Sequence, residues 1–375
     1  MQKKLIALAV AGMFAAPAFA ATSNVDVYGQ INMSVESVND GDDRWTRMVS
    51  NNNSFFGFKG SEDLGGGLSA VWQIEMNLNT DGNVNNTDGW ATAGGDWSDA
   101  GAISGTRNTF VGLSSKNFGT VLAGVHDTPY KMATGPLDLF VGTLGDYNAI
   151  MGAAASNPSS TFDLRTGNTI AYISPDFSGF NFKAAYVMGY EGNLSGSGYD
   201  TANAYSLSGT YSNGPLFVTA AYEKHNDVDW NSSCRHGAVC LGAGEGYDRD
   251  AWKIGASYKF GDLKVGAMYE NMDDNADNIG HYSWMLNAAY TMGAMTFKAE
   301  YLKASELDAT NDSGASMWAL GMDYALSKRT TIQLTYARLD NDDNGNWDLG
   351  QGPRVTNDSA GDTVSGFGLG VRHSF

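Results

Sequence analysis

The stretch GFGLGVRHSF, Gly366–Phe375, closes the chain. Phe367, Leu369, Val371, His373 and Phe375 fall on one parity; Gly366, Gly368, Gly370, Arg372 and Ser374 fall on the other. Alternation with period two marks a strand with two unlike faces. This strand runs to the last residue and stops on an aromatic ring. A chain end normally frays, and an apolar terminal side chain gains nothing in water. The stretch therefore needs both a strand partner and an apolar surrounding.

The same alternation recurs toward the N-terminus, over sixteen segments in all. They begin with VDVYGQINMSV (Val25–Val35) and include SFFGFKGSE (Ser54–Glu62), LSAVWQIEMNL (Leu68–Leu78), AWKIGASYKF (Ala251–Phe260) and YSWMLNAAYTM (Tyr282–Met292). Each is close to the roughly 9–11 residues that a tilted strand needs to cross a bilayer. Connections alternate between short turns rich in Gly, Pro, Asn and Asp and long polar stretches: 39–53, 79–106, 127–167, 190–203, 226–250, 273–281, 305–315 and 340–365. Apolar faces begin or end on Trp, Tyr or Phe, as in Trp252, Ile254, Ala256, Tyr258 and Phe260. No apolar run of about 18 residues follows the first twenty, so no spanning helix is expected. The pattern predicts an all-β fold: a sixteen-stranded antiparallel transmembrane β-barrel with short periplasmic turns and long outer loops. A barrel has no free edge, so its last strand must pair with its first. Phe375 is the expected closure residue, seated in the periplasmic aromatic girdle.

The other end of the chain fits export. MQKKLIALAVAGMFAAPAFA has basic Lys3 and Lys4, an apolar stretch and the small-residue site Ala18-Phe19-Ala20. This reads as a signal peptide over residues 1–20, with a barrel domain over 21–375. Net charge is −18, and becomes −20 once Lys3 and Lys4 are removed. Nucleic acid is excluded as a partner, because phosphate binding needs a basic face. In an exported chain, Cys234 and Cys240 are expected to close a small disulfide loop.

The chain resembles the general diffusion porins of Gram-negative bacteria, in particular the proteobacterial and neisserial type. The resemblance rests on VDVYGQI, FGFKGSEDLGGGLSAVWQIE, RNTFVGLSSKNFGTVLAG, TGNTIAYISPDFSGFNFKAAY and the terminal GLGVRHSF. It implies a homotrimer in the outer membrane, among lipid and lipopolysaccharide, that passes ions and small hydrophilic solutes by passive diffusion. It implies no enzyme activity and no cofactor. It also implies that the third long loop, 127–167, folds inward and narrows the pore.

Function then lies in the inward parity and in that loop, since pore width and wall charge set which solutes pass. The resemblance implies loop acids set against wall arginines. Candidates are Asp138 and Asp146, with Asp163 later in the loop, facing Arg107, Arg165 and inward Lys59. Lys183, Lys253, Lys259, Lys264 and Lys298 also face inward by parity. Three positions depart from the family pattern: Phe55, Val125 and Ala171 stand where relatives commonly carry Arg or a GRQ stretch. Fewer positive charges, in an acidic chain, lead to an expected mild cation preference.

The alternative is a substrate-specific channel for sugars or organic solutes, which would need an aromatic track; Tyr130, Phe140 and Tyr147 of the loop are candidates. A barrel enzyme would need a catalytic constellation at one rim, and none emerges from the scattered histidines at 126, 225, 236, 281 and 373. A plugged structural barrel fits poorly with inward faces rich in small and polar residues. DNDDNGNWDLGQ (Asp340–Gln351) resembles a calcium loop, with Asp340, Asp342 and Asn344 at the first ligand positions, but Gln351 replaces the bidentate Glu and no helices flank it. It reads more simply as an acidic outer loop.

Overall fold

The computed structural model describes residues 24–39, 41, 45–81, 103–152, 162–188, 203–228, 247–275, 280–349 and 360–375. The expected signal peptide over residues 1–20 and the expected disulfide pair Cys234 and Cys240 lie outside the described residues. Eighteen strand segments follow in order: β1 Asn24–Asn39, β2 Trp45–Asn51, β3 Phe55–Gly65, β4 Leu68–Leu78, β5 Ile103–Thr106, β6 Thr109–Ser115, β7 Gly119–Asp127, β8 Arg165–Ile173 and β9 Phe180–Val187. The second half holds β10 Asn203–Asn213, β11 Leu216–Val228, β12 Tyr247–Phe260, β13 Leu263–Asp274, β14 His281–Met292, β15 Met295–Ala304, β16 Ala315–Ala325, β17 Thr330–Asn341 and β18 Thr363–Ser374. All pair antiparallel in one sheet.

Eighteen segments make sixteen staves, because two staves are interrupted. β2 and β3 both lie along β1, against Met33–Asn39 and Asn24–Gln30 respectively. The break between them spans Asn52–Ser54, where Asn53 takes a positive φ of 61°. β5 and β6 likewise both lie along β4, with the break at Arg107 and Asn108. The expected loop over 39–53 is thus partly strand, and so is the end of the one over 79–106.

Closure falls where the terminal alternation puts it. β18 pairs with β1 from Gln30↔Ser374 to Asn39↔Ser365. Outward rings form two levels. Nearer the long connections, Trp252, Tyr269 and Tyr282 pack in series, as do Trp284 with Tyr301, and Trp318, Tyr336 and Phe367. Nearer the short turns, Phe180 packs on Tyr211 and Tyr258 on Phe260. Ring bodies in hydrocarbon with polar edges toward headgroups stabilise this placement.

Between β7 and β8 the chain folds into the lumen. A six-residue helix, α1 (Pro129–Thr134), starts with proline and is capped by Thr128, whose hydroxyl accepts from the Lys131 N–H at 3.3 Å. Two 3-10 turns follow, at Gly135–Leu137 and Tyr147–Ala149.

Candidate functional site

The inserted loop is seated on one side of the lumen. Leu137, Phe140, Leu144, Ile150 and Met151 are buried against inward residues Met268, Met285, Leu302, Met317, Ala319, Ala337, Leu339 and Val364. Tyr130, Ala133 and Phe162 pack on Ala221, Ala251 and Met272. Burying each large side chain is worth roughly 1.5–3 kcal/mol, so these anchors fix the loop to the wall from β11 round to β18.

Polar ties complete the seat. The Lys253 ammonium donates to Asp163 at 2.5 Å and lies 3.9 Å from Glu270. Tyr130 donates its hydroxyl to Glu270 at 2.7 Å, and Tyr147 donates to Asp163 at 2.8 Å. Asn287 donates to the Leu137 carbonyl at 2.6 Å, and Asn32 on β1, the strand next to β18, donates to the Gly142 carbonyl at 3.3 Å. Gly142 has a positive φ of 64°, and a Cβ there would meet the Asn32 amide nitrogen at 3.1 Å. That close approach lets the loop reach β1.

The opposite wall carries the accessible charges, grouped at the two stave interruptions. Arg107, in the second break, donates Nε to Glu75 at 2.7 Å and a terminal N–H to Asn77 at 3.1 Å. Its guanidinium lies 4.7 Å from the Phe55 ring centroid. Arg165 meets Asp127 at 3.1 Å, and Lys131 of α1 reaches the same Asp127 at 3.6 Å. Asn108 ties Asp127 in place at 2.7 Å. Three cations therefore share two carboxylates. Lys59 sits opposite Asp26 in register and 4.9 Å from the Tyr28 ring centroid.

The structure brings some expected residues together and separates others. Lys59, Phe55 and Gly57 share the inward row with Gln30, Tyr28 and Asp26. Ala171 is inward and buried beside Leu122 and Ala185. Val125 departs from its expected place on the pore wall. It pairs with Thr109 in the row of Val111 and Ala123, whose member Val111 is 62% exposed on the outer surface, and the register slips just after it. The cause is parity itself: Val125 alternates in step with Val121 and Ala123, so its row is the outer one.

The loop acids also depart from expectation. Asp146 is buried and caps the second 3-10 turn, accepting from the Gly142 N–H at 2.9 Å and the Asn148 N–H at 3.1 Å. Burial pushes its carboxyl up to about 6, against the lowering effect of those two bonds. Asp163 is buried with Lys253. Asp138 is half-buried, accepts from the Phe140 N–H at 2.9 Å, and is pushed well above the usual carboxylate range by burial and then by the charge of Asp146. Neither arginine faces a loop carboxylate: Arg107 and Arg165 are partnered by wall acids. Tyr130, Phe140 and Tyr147 are buried behind the loop and do not line the lumen.

In the outer loop, Asp340 is committed to Arg338, at 2.7 Å, and to Thr363, at 2.9 Å. Asn344 donates to the Asn311 carbonyl, so it points away from Asp340 toward another loop. Among the described residues, no three His, Cys, Asp or Glu side chains stand close enough to hold a metal. The described part of the calcium-like stretch, Asp340–Leu349, therefore gathers no such group, and Gln351 lies outside the described residues. Sequence reasoning missed Glu75, Asp127 and Lys131. The Asp127/Lys131 spacing of four, leading into a Pro-initiated turn of helix, was the available signal.

With closed barrel, inserted loop and charged wall in view, the comparisons with known proteins decide the family. The model of the Gram-negative porin family matches residues 7–344. The chain belongs to that family. Outer membrane porin protein 32 of Delftia acidovorans is 30% identical over the full length of both chains. Major outer membrane protein P.IB of Neisseria meningitidis is 27% identical, again over both full lengths. Among solved structures, an anion-selective porin from Comamonas acidovorans superposes with a TM-score of 0.75 at 26% identity, covering 94% of this chain and all of that one. This porin is therefore an outer-membrane protein and a passive channel, not an enzyme.

Proposed function

We propose that this porin passes ions and small hydrophilic solutes with a preference for anions. The observation that carries the sign is the cluster at the stave breaks, where Arg107, Arg165 and Lys131 share the two carboxylates Glu75 and Asp127. The acids that would have countered it, Asp146 and Asp163, are turned into the loop's seat. Local wall charge sets pore selectivity more than net charge does, because low-dielectric walls focus field lines into a narrow water-filled passage. This reading reverses the mild cation preference expected from Phe55, Val125 and Ala171. The anion-selective porin from Comamonas acidovorans, similar in fold and sequence, supports it.

The full reading has the mature chain begin at Ala21 after signal-peptide removal, and three copies assemble in the lipid and lipopolysaccharide bilayer. The aliphatic outward row of β1, with Val25, Val27, Ile31 and Val35 exposed, supports packing against another copy. The test is a planar-bilayer recording of refolded protein in a potassium chloride gradient. A reversal potential on the chloride side, with closures in steps of three, is the expected result. A potential on the potassium side would overturn the anion reading and restore the cation preference.

A further inference from the structure

Phe55 is the least expected residue of the inner wall: an aromatic ring in a row that faces a water-filled lumen. It is not alone. Tyr28 of β1 meets it edge-on, with centroids 6.3 Å apart and planes at 68°. Arg107 covers one side of the Phe55 ring at 4.7 Å, and Lys59 covers Tyr28 at 4.9 Å. Glu75 locks the group together, accepting from Tyr28 at 2.9 Å and from Arg107 at 2.7 Å. The result is a ladder across β1, β3 and the β5–β6 break in which two adjacent rings, Tyr28 and Phe55, are flanked by a cation at each end. Phe55 adjoins the Asn52–Ser54 break, and Asn52 is in contact range of Gly142 at the loop's far reach. Beside Gly142, Val141 is 48% exposed, so the loop adds an apolar side chain at this level.

We propose that this ladder is a transient binding site for planar aromatic carboxylates, anions of the benzoate type. The proposal rests on the porin reading above and adds a preferred solute class to it. The chemistry supplies both halves of recognition. A guanidinium has five N–H donors in a planar fork, and among the described residues Glu75 and Asn77 take two from Arg107. The remaining donors suit a permeating carboxylate. The rings of Phe55 and Tyr28 offer edge and face to an aromatic body, which an aliphatic anion of the same charge cannot use. Arg107 and Lys59, lying over the rings, add cation–π attraction for a further aromatic face. A small inorganic anion would use the charges and leave the rings idle.

The experiment compares benzoate, cyclohexanecarboxylate and acetate as blockers of chloride current through the refolded full chain in a planar bilayer. Benzoate and cyclohexanecarboxylate match in charge and size and differ in the ring. Benzoate should reduce the current at a concentration roughly three- to tenfold lower than cyclohexanecarboxylate. That ratio should persist in Phe55→Tyr and fall to about one in Phe55→Leu. Equal potency of the two anions in the wild type, or an undiminished ratio in Phe55→Leu, would overturn the proposal while leaving the channel intact. Absence of chloride steps altogether would overturn the porin reading as well.

Discussion

Gly29 and Phe375 exchange two backbone hydrogen bonds, at 3.2 and 3.1 Å, and so carry the β1–β18 seam one residue past the last strand position. The Phe375 ring lies over Gly29, where a Cβ would meet ring atom Cζ at 2.6 Å and the Phe55 carbonyl oxygen at 2.6 Å. The terminal ring can seat only because position 29 has no side chain. Gly29→Val should therefore displace the ring and loosen closure, and deletion of Phe375 should remove the ring together with both bonds. Each should cost about 1–3 kcal/mol, from lost ring burial and strained pairing. Heat-dependent gel mobility of refolded protein measures the folded fraction, which should fall in both variants. An undiminished folded fraction in both would show that the seam does not depend on its last residue.

Lys253 is a buried ammonium between two buried carboxylates of different elements, Asp163 in the loop and Glu270 on β13. Removing one partner of such a group leaves uncompensated buried charge and typically costs about 3–5 kcal/mol. Lys253→Met should lower the melting temperature and raise open-channel noise, since the loop loses its deepest polar tie. Adding Asp163→Asn removes one of the stranded charges and should recover part of the loss. Non-additivity in this double-mutant cycle is the signature to look for. Additive effects would mean that the two side chains act separately.

The barrel was legible because its determinant is local. Parity along each strand placed Lys59, Lys183, Lys253, Lys259, Lys264 and Lys298 on the inward face, and pairing agrees for all six. The terminal alternation in Gly366–Phe375 dictated closure. The interruptions at Asn52–Ser54 and Arg107–Asn108 were not legible, because a broken stave keeps its pattern on both sides of the break. Nor was the loop's seat obvious. The clue was present in the wrong-looking inward residues Met268, Met285, Leu302, Met317 and Leu339, apolar on the face that should meet water. They mark where the loop docks. Charge was legible in kind but not in partner: nothing in the sequence says that Asp146 and Asp163 turn inward to their own loop and wall while Lys131 reaches Asp127.

Lys131 is the loop's contribution to the charged cluster, partly exposed and 3.6 Å from Asp127. Lys131→Glu changes the local charge by two units and sets a carboxylate beside Asp127. The reversal potential in a potassium chloride gradient should move clearly toward potassium, more than for Lys59→Glu, because Lys131 belongs to the cluster with Arg165 on Asp127 whereas Lys59 lies outside it on β3. The shift should shrink at 1 M salt, where charges are screened beyond about 3 Å. Equal shifts for the two variants would place the selective charges elsewhere.

Asp146 links pH to both stability and selectivity. Its folded carboxyl is raised to about 6 by burial, above the ordinary value of 3.8. The folded state therefore binds a proton that the unfolded chain does not, over the window between these values. Stability linked to this group is fully present below the lower value and is lost as pH rises through about 6. Asp138, pushed upward by burial and by Asp146 itself, acts in the same direction. Melting temperature should rise as pH is lowered from 7.5 to 5. Over the same interval the pore should become slightly more anion-preferring, because the negative charge of Asp146 is neutralised. Asp146→Asn keeps an acceptor for the turn and removes the titration, so its melting temperature should vary less across that interval. A wild-type melting temperature that is flat or falls on acidification would show that the buried cap carries no proton in this range.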